Sequence, residues 1–320
     1  MDAKRPDDTR SEENFAALWS SDGVTRSLAP TATGVPADLP FLFSGGQRFG
    51  PYLIVRPIGK GGMGQVYEAE EIDSGRRVAV KILSRGIGDD EERERFLQEG
   101  RLAASLSHPH TVYVFGTTEV QGFPVIAMEL APSGTLKDLV LPGAPMTTMK
   151  AVDATLQVIA GLEAAASIGI LHRDVKPSNC FVAADGRVLV GDFGLSIATL
   201  GRAGSGDTPG TILGTPGFAS PEQLRGEPLD VRSDIYSVGA TIYYLLTGKA
   251  PFDDPNIKTM ITRVNTEAPP ALTVSRPDIP SRLGTVVAKC LATRPGDRYA
   301  TYGALTAALR NGSSAAVRAP

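Results

Sequence analysis

Partway along this 320-residue chain the spacing of apolar residues changes from a strand period to a helix period, and one layer cannot satisfy both. From Phe49 the apolar residues fall in short β-type runs, PYLIVRPIG, QVYEAEEI and RRVAVKIL, separated by Gly-bearing turns. A charged helical run covers Asp89 to Leu106, and two further strands are expected around Thr111 to Gly116 and Pro124 to Glu129. After Pro132 the period becomes helical. Met149 to Ile168 is alanine-rich, and Ser233 to Thr247 is apolar enough for a buried helix. The expected fold class is therefore α+β, a small antiparallel β-sheet lobe with one helix joined near Leu130 to Gly134 to a larger, mainly helical lobe. The expected boundaries are 1–48 for a disordered leader, 49–130 and 131–311 for the lobes, and 312–320 for a flexible tail.

The leader mixes charge runs with Ser, Thr, Pro and Gly and sustains no apolar period. Within it Phe15, Leu18 and Trp19 fall at i, i+3 and i+4 after Ser11, a short helix face that a partner or the main body could cover. With 32 basic against 35 acidic residues and a net charge of -3, the chain has no field suited to nucleic acid or an anionic membrane. Its nearest apolar stretch, Ala151 to Ile170, is interrupted by Asp153 and Glu163, so no membrane span is expected. No apolar signal core stands at the N-terminus. Two cysteines, Cys180 and Cys290, make neither a disulfide framework nor a metal-ligand spacing, and a cytoplasmic location is expected.

Ile58-Gly59-Lys60-Gly61-Gly62-Met63-Gly64-Gln65-Val66 sets a G-x-G-x-x-G loop between two strands. Missing side chains at Gly59, Gly61 and Gly64 let backbone N–H groups approach phosphate oxygens. Dinucleotide-binding loops share this spacing but open a helix, whereas Gln65-Val66-Tyr67 continues as strand, and that reading fails on context. Val78-Ala79-Val80-Lys81 places an ammonium group among apolar neighbours, where burial without a partner is costly. Glu99 on the charged helix is a candidate partner that would aim it at phosphates. Read singly, Lys81 is a solvated strand edge and Glu99 one more helix carboxylate.

The turn His172-Arg173-Asp174-Val175-Lys176-Pro177-Ser178-Asn179 lets a base, a cation and a metal ligand converge. Asp192-Phe193-Gly194 adds a second carboxylate suited to Mg²⁺, and Ser220-Pro221-Glu222 follows. Taken together and in this order, from about Phe49 to Arg310, the motifs resemble the protein kinase family. The wording GGMGQVYEAE, DVKPSN, GTPGFASPEQ and SDIYSVGATIYYLLTGKAPF looks most like bacterial serine/threonine kinases of the eukaryotic (Hanks) type.

The resemblance implies a two-lobed kinase fold and a clamp on ATP with Mg²⁺, Mn²⁺ being an alternative metal. It implies that Gly59, Gly61 and Gly64 cover the phosphates, that Ile58 also lines the nucleotide site, that Val66 and Ala79 sandwich the adenine, and that Glu129 and Ala131, after a gatekeeper Met128, contact it through the backbone. It further implies that Lys81, paired with Glu99, contacts the α- and β-phosphates, that Asp174 is the catalytic base, that Lys176 steadies the γ-phosphate, and that Asn179 and Asp192 hold the metal. Thr215 and the Asp174-x-Lys176-x-x-Asn179 pattern resemble the Ser/Thr-specific branch, so protein Ser/Thr hydroxyls are the expected acceptors. Glu222 with Arg298 matches a structural ion pair, and Asp234 matches a buried anchor of the His172–Asp174 turn.

Arg173 beside the base suggests a cation that a phosphate on Ser205, Thr208 or Thr211 neutralises, with autophosphorylation, possible in trans within a homodimer, as the source. The competing reading of those hydroxyls is an ordinary Gly-Ser-Thr loop. Two glycines depart from the family's usual pattern. Gly191 stands where a larger residue is common, and Gly100 sits inside the helix after Glu99, where a cost of about 1 kcal/mol relative to Ala suggests an easily shifted helix. Cys180 beside Asn179 reads as a buried thiol or as a redox-sensitive one. The rival to an enzyme is a pseudokinase scaffold, which loss of Lys81, Asp174 or Asp192 would favour. A small-molecule kinase is disfavoured by the complete GTPGFASPEQ segment.

Overall fold

The computed structural model describes residues 42–61, 64–83, 90–193 and 216–313, without the side chains of 90–93, 95 and 99. The apolar triad Phe15, Leu18 and Trp19 and the terminal residues 314–320 lie outside the described residues.

β1 (Arg48–Phe49), β2 (Tyr52–Gly61), β3 (Gly64–Glu71), β4 (Arg76–Leu83), β5 (Val114–Val120) and β6 (Phe123–Met128) form one antiparallel sheet. Their order is β1-β2-β3-β4-β6-β5. Every residue of β6 and the last six of β4 are buried, because these inner strands are covered on both faces. The helix α1 (Asp90–Ser105) packs on β5 so closely that a Cβ on Gly100 would stand 2.1 Å from Thr117 Oγ1. Gly100 thus has a packing reason for lacking a side chain, distinct from the helix softness read from its propensity.

Two boundaries differ from the sequence reading. β5 starts three residues later than expected, because Thr111 is drawn instead into a parallel bridge with Val190, and the polar run Thr117-Thr118-Glu119 hid the strand's continuation. Residues 42–48, assigned to the disordered leader, are ordered on the sheet. Phe43 is buried against Phe49 at 4.8 Å between ring centroids, and the short apolar run Phe41-Leu42-Phe43, ended by Ser44 and two glycines, is too brief to show a strand or helix period.

The second lobe contains α2 (Thr148–Ser167), the short hairpin β7 (Cys180–Val182) and β8 (Val188–Val190), α3 (Pro221–Arg225), α4 (Val231–Thr247), α5 (Ile257–Thr266), α6 (Leu272–Ser275), α7 (Ser281–Cys290) and α8 (Tyr302–Ser313). α4 is the central helix. Thirteen of its seventeen residues are buried, which explains why its sequence is apolar on every side. It packs against α2 and α7, with Ile159, Leu162, Leu245, Leu283 and Leu305 in one continuous core.

At one end of this core Arg298 donates to Glu222 through Nη1 and Nη2, at 2.6 and 2.8 Å, with both side chains almost fully buried. Ser233 Oγ adds a third donor to the carboxylate at 2.7 Å, and Arg298 also caps the carbonyls of Arg232, Ala292 and Thr293. Burial alone would raise the Glu222 carboxyl, but the Arg298 hydrogen bonds and charge outweigh it and hold it below the usual range.

Two stability predictions follow from this packing. Because the folded carboxyl of Glu222 sits below its unfolded value of about 4.5, its contribution is present above that pH and is lost as pH falls through the folded value. Glu222→Gln should cost about 3–5 kcal/mol in urea unfolding at pH 7, by stranding Arg298, and should flatten the decline in stability below about pH 4.5. Gly100→Ala should lose about 1–2 kcal/mol net, overpacking against Thr117 exceeding the gain of about 1 kcal/mol in helix propensity. A stabilised Gly100→Ala protein would contradict the close approach.

Candidate active site

The chemistry-bearing turn is held from beneath by one carboxylate. Asp234, in the first turn of α4 and 1% exposed, accepts the backbone N–H of His172 at 2.9 Å and of Arg173 at 2.8 Å. Tyr302 Oη donates to the same carboxylate at 3.0 Å, and burial together with that charge pushes the phenol far up. These bonds hold Arg173 at φ +66°, a left-handed conformation that a side chain adopts only when its surroundings fix it. Gln223 Nε2 donates to the Arg173 carbonyl at 2.5 Å, and the His172 ring bonds the Gly191 carbonyl at 2.8 Å and packs tilted against the Phe193 ring.

The turn then delivers its polar groups in a cluster. Lys176 Nζ lies 2.7 Å from Asp174 Oδ2, and Asn179 Nδ2 donates to the same oxygen at 3.0 Å and to the Asp174 carbonyl at 2.8 Å. Both donors converge on Oδ2, so the carboxylate is oriented with Oδ1 engaged by neither. Asn179 comes from a 3-10 turn, Pro177–Asn179, whose proline presets the bend.

The second carboxylate crosses between lobes. Asp192 follows β8 at φ +63° and accepts from Lys81 Nζ, on β4, at 2.9 Å. Burial pushes the Asp192 carboxyl up, yet Lys81, His172 and Lys176 together outweigh it and hold it below the usual range. Among the described residues Asp192 is the partner of Lys81. The side chain of Glu99, expected in that role, lies outside the described residues. Gly191 fits its place by packing: a Cβ there would stand 2.8 Å from Phe181 and from Val112.

Beside the ion pair, Ala79, Met128 and Leu189 are buried in one apolar cluster against which Val66, Leu130 and Ala131 pack. The Glu129 N–H donates to the Tyr113 carbonyl at 2.8 Å, and its carboxylate accepts from the Tyr113 N–H at 3.3 Å. Ile58, Gly59 and Gly61 lie on the β2 arm of the hairpin and Gly64 opens β3, where a Cβ would meet the Ile82 carbonyl of β4 at 2.1 Å, so only glycine fits at the start of that strand. This set fits a nucleotide with its metal: an apolar lining for a base, a buried ammonium for phosphates, and hard oxygen donors on Asn179 and Asp192. Among the described residues no three His, Cys, Asp or Glu converge, so an ion held here would complete its shell from phosphate or water.

Arg173 Nε is buried without a hydrogen-bond partner among the described residues. Ser205, Thr208 and Thr211, the hydroxyls considered with it, lie outside the described residues, as do Thr215 and Gly194. Cys180 is fully buried and burial pushes its thiol up to about 12, which leaves the redox-sensitive reading without an accessible thiolate. The sequence reading missed Tyr302 and Gln223. Neither role carries a local signal, since Tyr302 reaches the anchor Asp234 across 68 residues and Gln223 reaches the Arg173 carbonyl across 50.

A curled antiparallel sheet above a helical lobe, with a lysine–carboxylate pair across their seam and an oriented second carboxylate beside it, is the arrangement of a nucleotide-dependent phosphotransferase. The chain belongs to the protein kinase family, its residues 52–309 matching the protein kinase domain. It is 38% identical over 260 residues to the serine/threonine-protein kinase PknL of Mycobacterium tuberculosis, covering 81% of this chain and 64% of that protein. It is 36% identical over 266 residues to PknE of Mycobacterium bovis, covering 82% and 46%. A probable serine/threonine-protein kinase of Corynebacterium efficiens is 36% identical over 281 residues, covering 84% and 43%. The relatives place the chain with the bacterial Hanks-type kinases, and it spans roughly half the length of those it matches. No helix among the described residues is long and apolar enough to cross a membrane.

Removing the anchor tests the architecture without assaying chemistry. Asp234→Ala leaves two buried N–H groups unpaired and should cost about 2–6 kcal/mol in urea unfolding, whereas Tyr302→Phe should cost about 1–3. Equal, negligible losses would show that the turn holds itself.

Proposed function

We propose that the chain is an ATP- and Mg²⁺-dependent serine/threonine protein kinase, transferring the γ-phosphoryl group to protein Ser and Thr hydroxyls. The observation carrying this reading is the 2.9 Å pair between Lys81 and Asp192 across the lobes, set beside an Asp174 whose Oδ2 is already held by Lys176 and Asn179. The proposed catalytic unit is 49–311, between a leader and a tail, with residues 42–48 of the former packed on the sheet.

In this reading Gly59, Gly61 and Gly64 lie over the phosphates, Ile58 also lines the nucleotide site, Val66 and Ala79 enclose the base, and Glu129 and Ala131 contact it through the backbone. Lys81 binds the α- and β-phosphates, and Glu99 is assigned to orient it. Asn179 and Asp192 hold the metal. When bound, Mg·ATP supplies the transferable group and neutralises charge on its oxygens. Asp174 Oδ1 orients an incoming hydroxyl and accepts its proton, while Lys176 stays within reach of the oxygens that gain charge. Asp192, kept ionised by Lys81, is ready to bind a cation at neutral pH.

The buried Arg173 Nε, without a hydrogen-bond partner among the described residues, supports a phosphate-responsive site, with Ser205, Thr208 and Thr211 as candidate positions and a second copy of the chain as a candidate donor enzyme. Mn²⁺ is a candidate substitute for Mg²⁺. The two free, buried cysteines support a cytoplasmic setting.

Incubation with Mg·[γ-³²P]ATP and a generic basic protein tests the reading. Wild type should label itself and the substrate on Ser or Thr, and Asp174→Asn should lower the rate about 10²–10⁴-fold with nucleotide affinity retained. Binding of ATP by wild type without any transfer would replace the enzyme by a pseudokinase scaffold.

A further inference from the structure

β3 has two faces, and the cleft uses one. Val66 packs with the apolar lining beside Ala79 and Met128, whereas Gln65 and Tyr67 face the other way and are buried beneath the segment that precedes β1. That segment is a strap. Its Leu42 N–H donates to Gln65 Oε1 at 2.9 Å and to the Tyr67 hydroxyl at 3.0 Å, and the Phe43 N–H donates to the same hydroxyl at 3.3 Å. Tyr67 Oη in turn donates to Gln65 Oε1, and the Phe43 ring lies edge-on to Tyr67 at 5.8 Å. Farther along, the Gly46 N–H donates to the Ile54 carbonyl and the Ile54 N–H to the Gln47 carbonyl, both at 2.8 Å. The strap is therefore bonded to both arms of the β2–β3 hairpin.

Its attachment lies close to the glycine-rich end. Gln65 pairs with Lys60, next to the Gly61–Gly64 pair. A hairpin carrying glycines at 59, 61 and 64 has unusually wide conformational freedom, and buried hydrogen bonds to a fixed strap remove part of it. If Tyr67 served only to fill the core, its ring would suffice, yet its hydroxyl bonds two strap amides and the carboxamide of Gln65.

We propose that Gln65 and Tyr67 are positioning residues, through which the strap 42–47 holds the glycine-rich hairpin at a fixed height over the nucleotide phosphates. The role assigned to the phosphates rests on the function proposed above. The attachment of strap to hairpin does not.

Two variants of the full chain test it. Tyr67→Phe removes the hydroxyl and keeps the ring, and Leu42→Pro removes the N–H that serves both acceptors. In the nucleotide-free protein, amide hydrogen exchange at 58–61 and 64–67 should rise at least tenfold in Tyr67→Phe and in Leu42→Pro, with α4 unchanged and the double variant no faster than the faster single one. Affinity for Mg²⁺ with the non-hydrolysable analogue AMP-PNP should fall about three- to tenfold, and affinity for adenosine, which lacks phosphates, should hold. Unchanged hairpin exchange in Tyr67→Phe overturns the proposal, and so does equal acceleration in α4, which would mark a general loss of stability. Should Leu42→Pro fail to fold, Tyr67→Phe decides alone. If wild type binds no Mg·AMP-PNP, the proposed function falls, while the exchange result still decides the strap.

Discussion

A carboxylate buried to 1% exposure is tolerable only if its hydrogen bonds replace the water it has lost, and Asp234 meets that condition with the backbone of His172 and Arg173 and the hydroxyl of Tyr302. Everything functional in the second lobe hangs from this arrangement. The two N–H bonds fix the strained Arg173, Arg173 fixes the direction in which Asp174 leaves, and the following turn brings Lys176 and Asn179 onto one oxygen of Asp174. Since α4 is buried along most of its length, the anchor moves only if the core moves. A loop bearing three charged side chains is thereby given the rigidity of a helix.

The first lobe solves a different problem, presenting a lysine ammonium to a cleft without leaving it unpaired. β4 carries Lys81 between inner strands, and the only described carboxylate it meets belongs to the other lobe. The pair therefore ties the relative placement of the lobes to the ionisation of Asp192, and Lys81 in turn keeps that carboxyl charged despite burial. Among the described residues, the carboxylate that Lys81 meets and the lysine that bonds Asp192 each come from the opposite lobe. An anionic ligand that drew Lys81 away, and a cation that took its place at Asp192, would exchange one set of compensated charges for another rather than expose either.

How much of this the sequence disclosed depends on range. Strand and helix periods, and residues whose role lies within a few positions, were legible: the hairpin glycines, the turn from His172 to Asn179, and the buried α4. Contacts that depend on distant segments were legible only where a family pattern named them, as for Glu222 with Arg298. Tyr302 carries no such mark, Gln223 ends the GTPGFASPEQ wording without a role being assigned to it, and β5 was misplaced because the bridge of Thr111 to Val190 is a tertiary contact that overrides a local preference. Gly100 shows the opposite error. Propensity alone reads it as a weak point in a helix, whereas the neighbouring Thr117 makes it a requirement of close packing.

The same difference of range separates the two faces of β3. Period-two alternation divides Val66 from Gln65 and Tyr67 but cannot say that both faces are covered, because the cover on the second face is a segment whose own composition is that of a loop. Once Phe43 and Phe49 are in place, a polar Gln65 and a phenol hydroxyl can be buried there, since backbone N–H groups of the strap supply partners that an apolar cover would lack. A strand next to a glycine-rich turn thus draws order from chain outside the sheet, and the height of the hairpin becomes a property of the whole lobe rather than of its own residues.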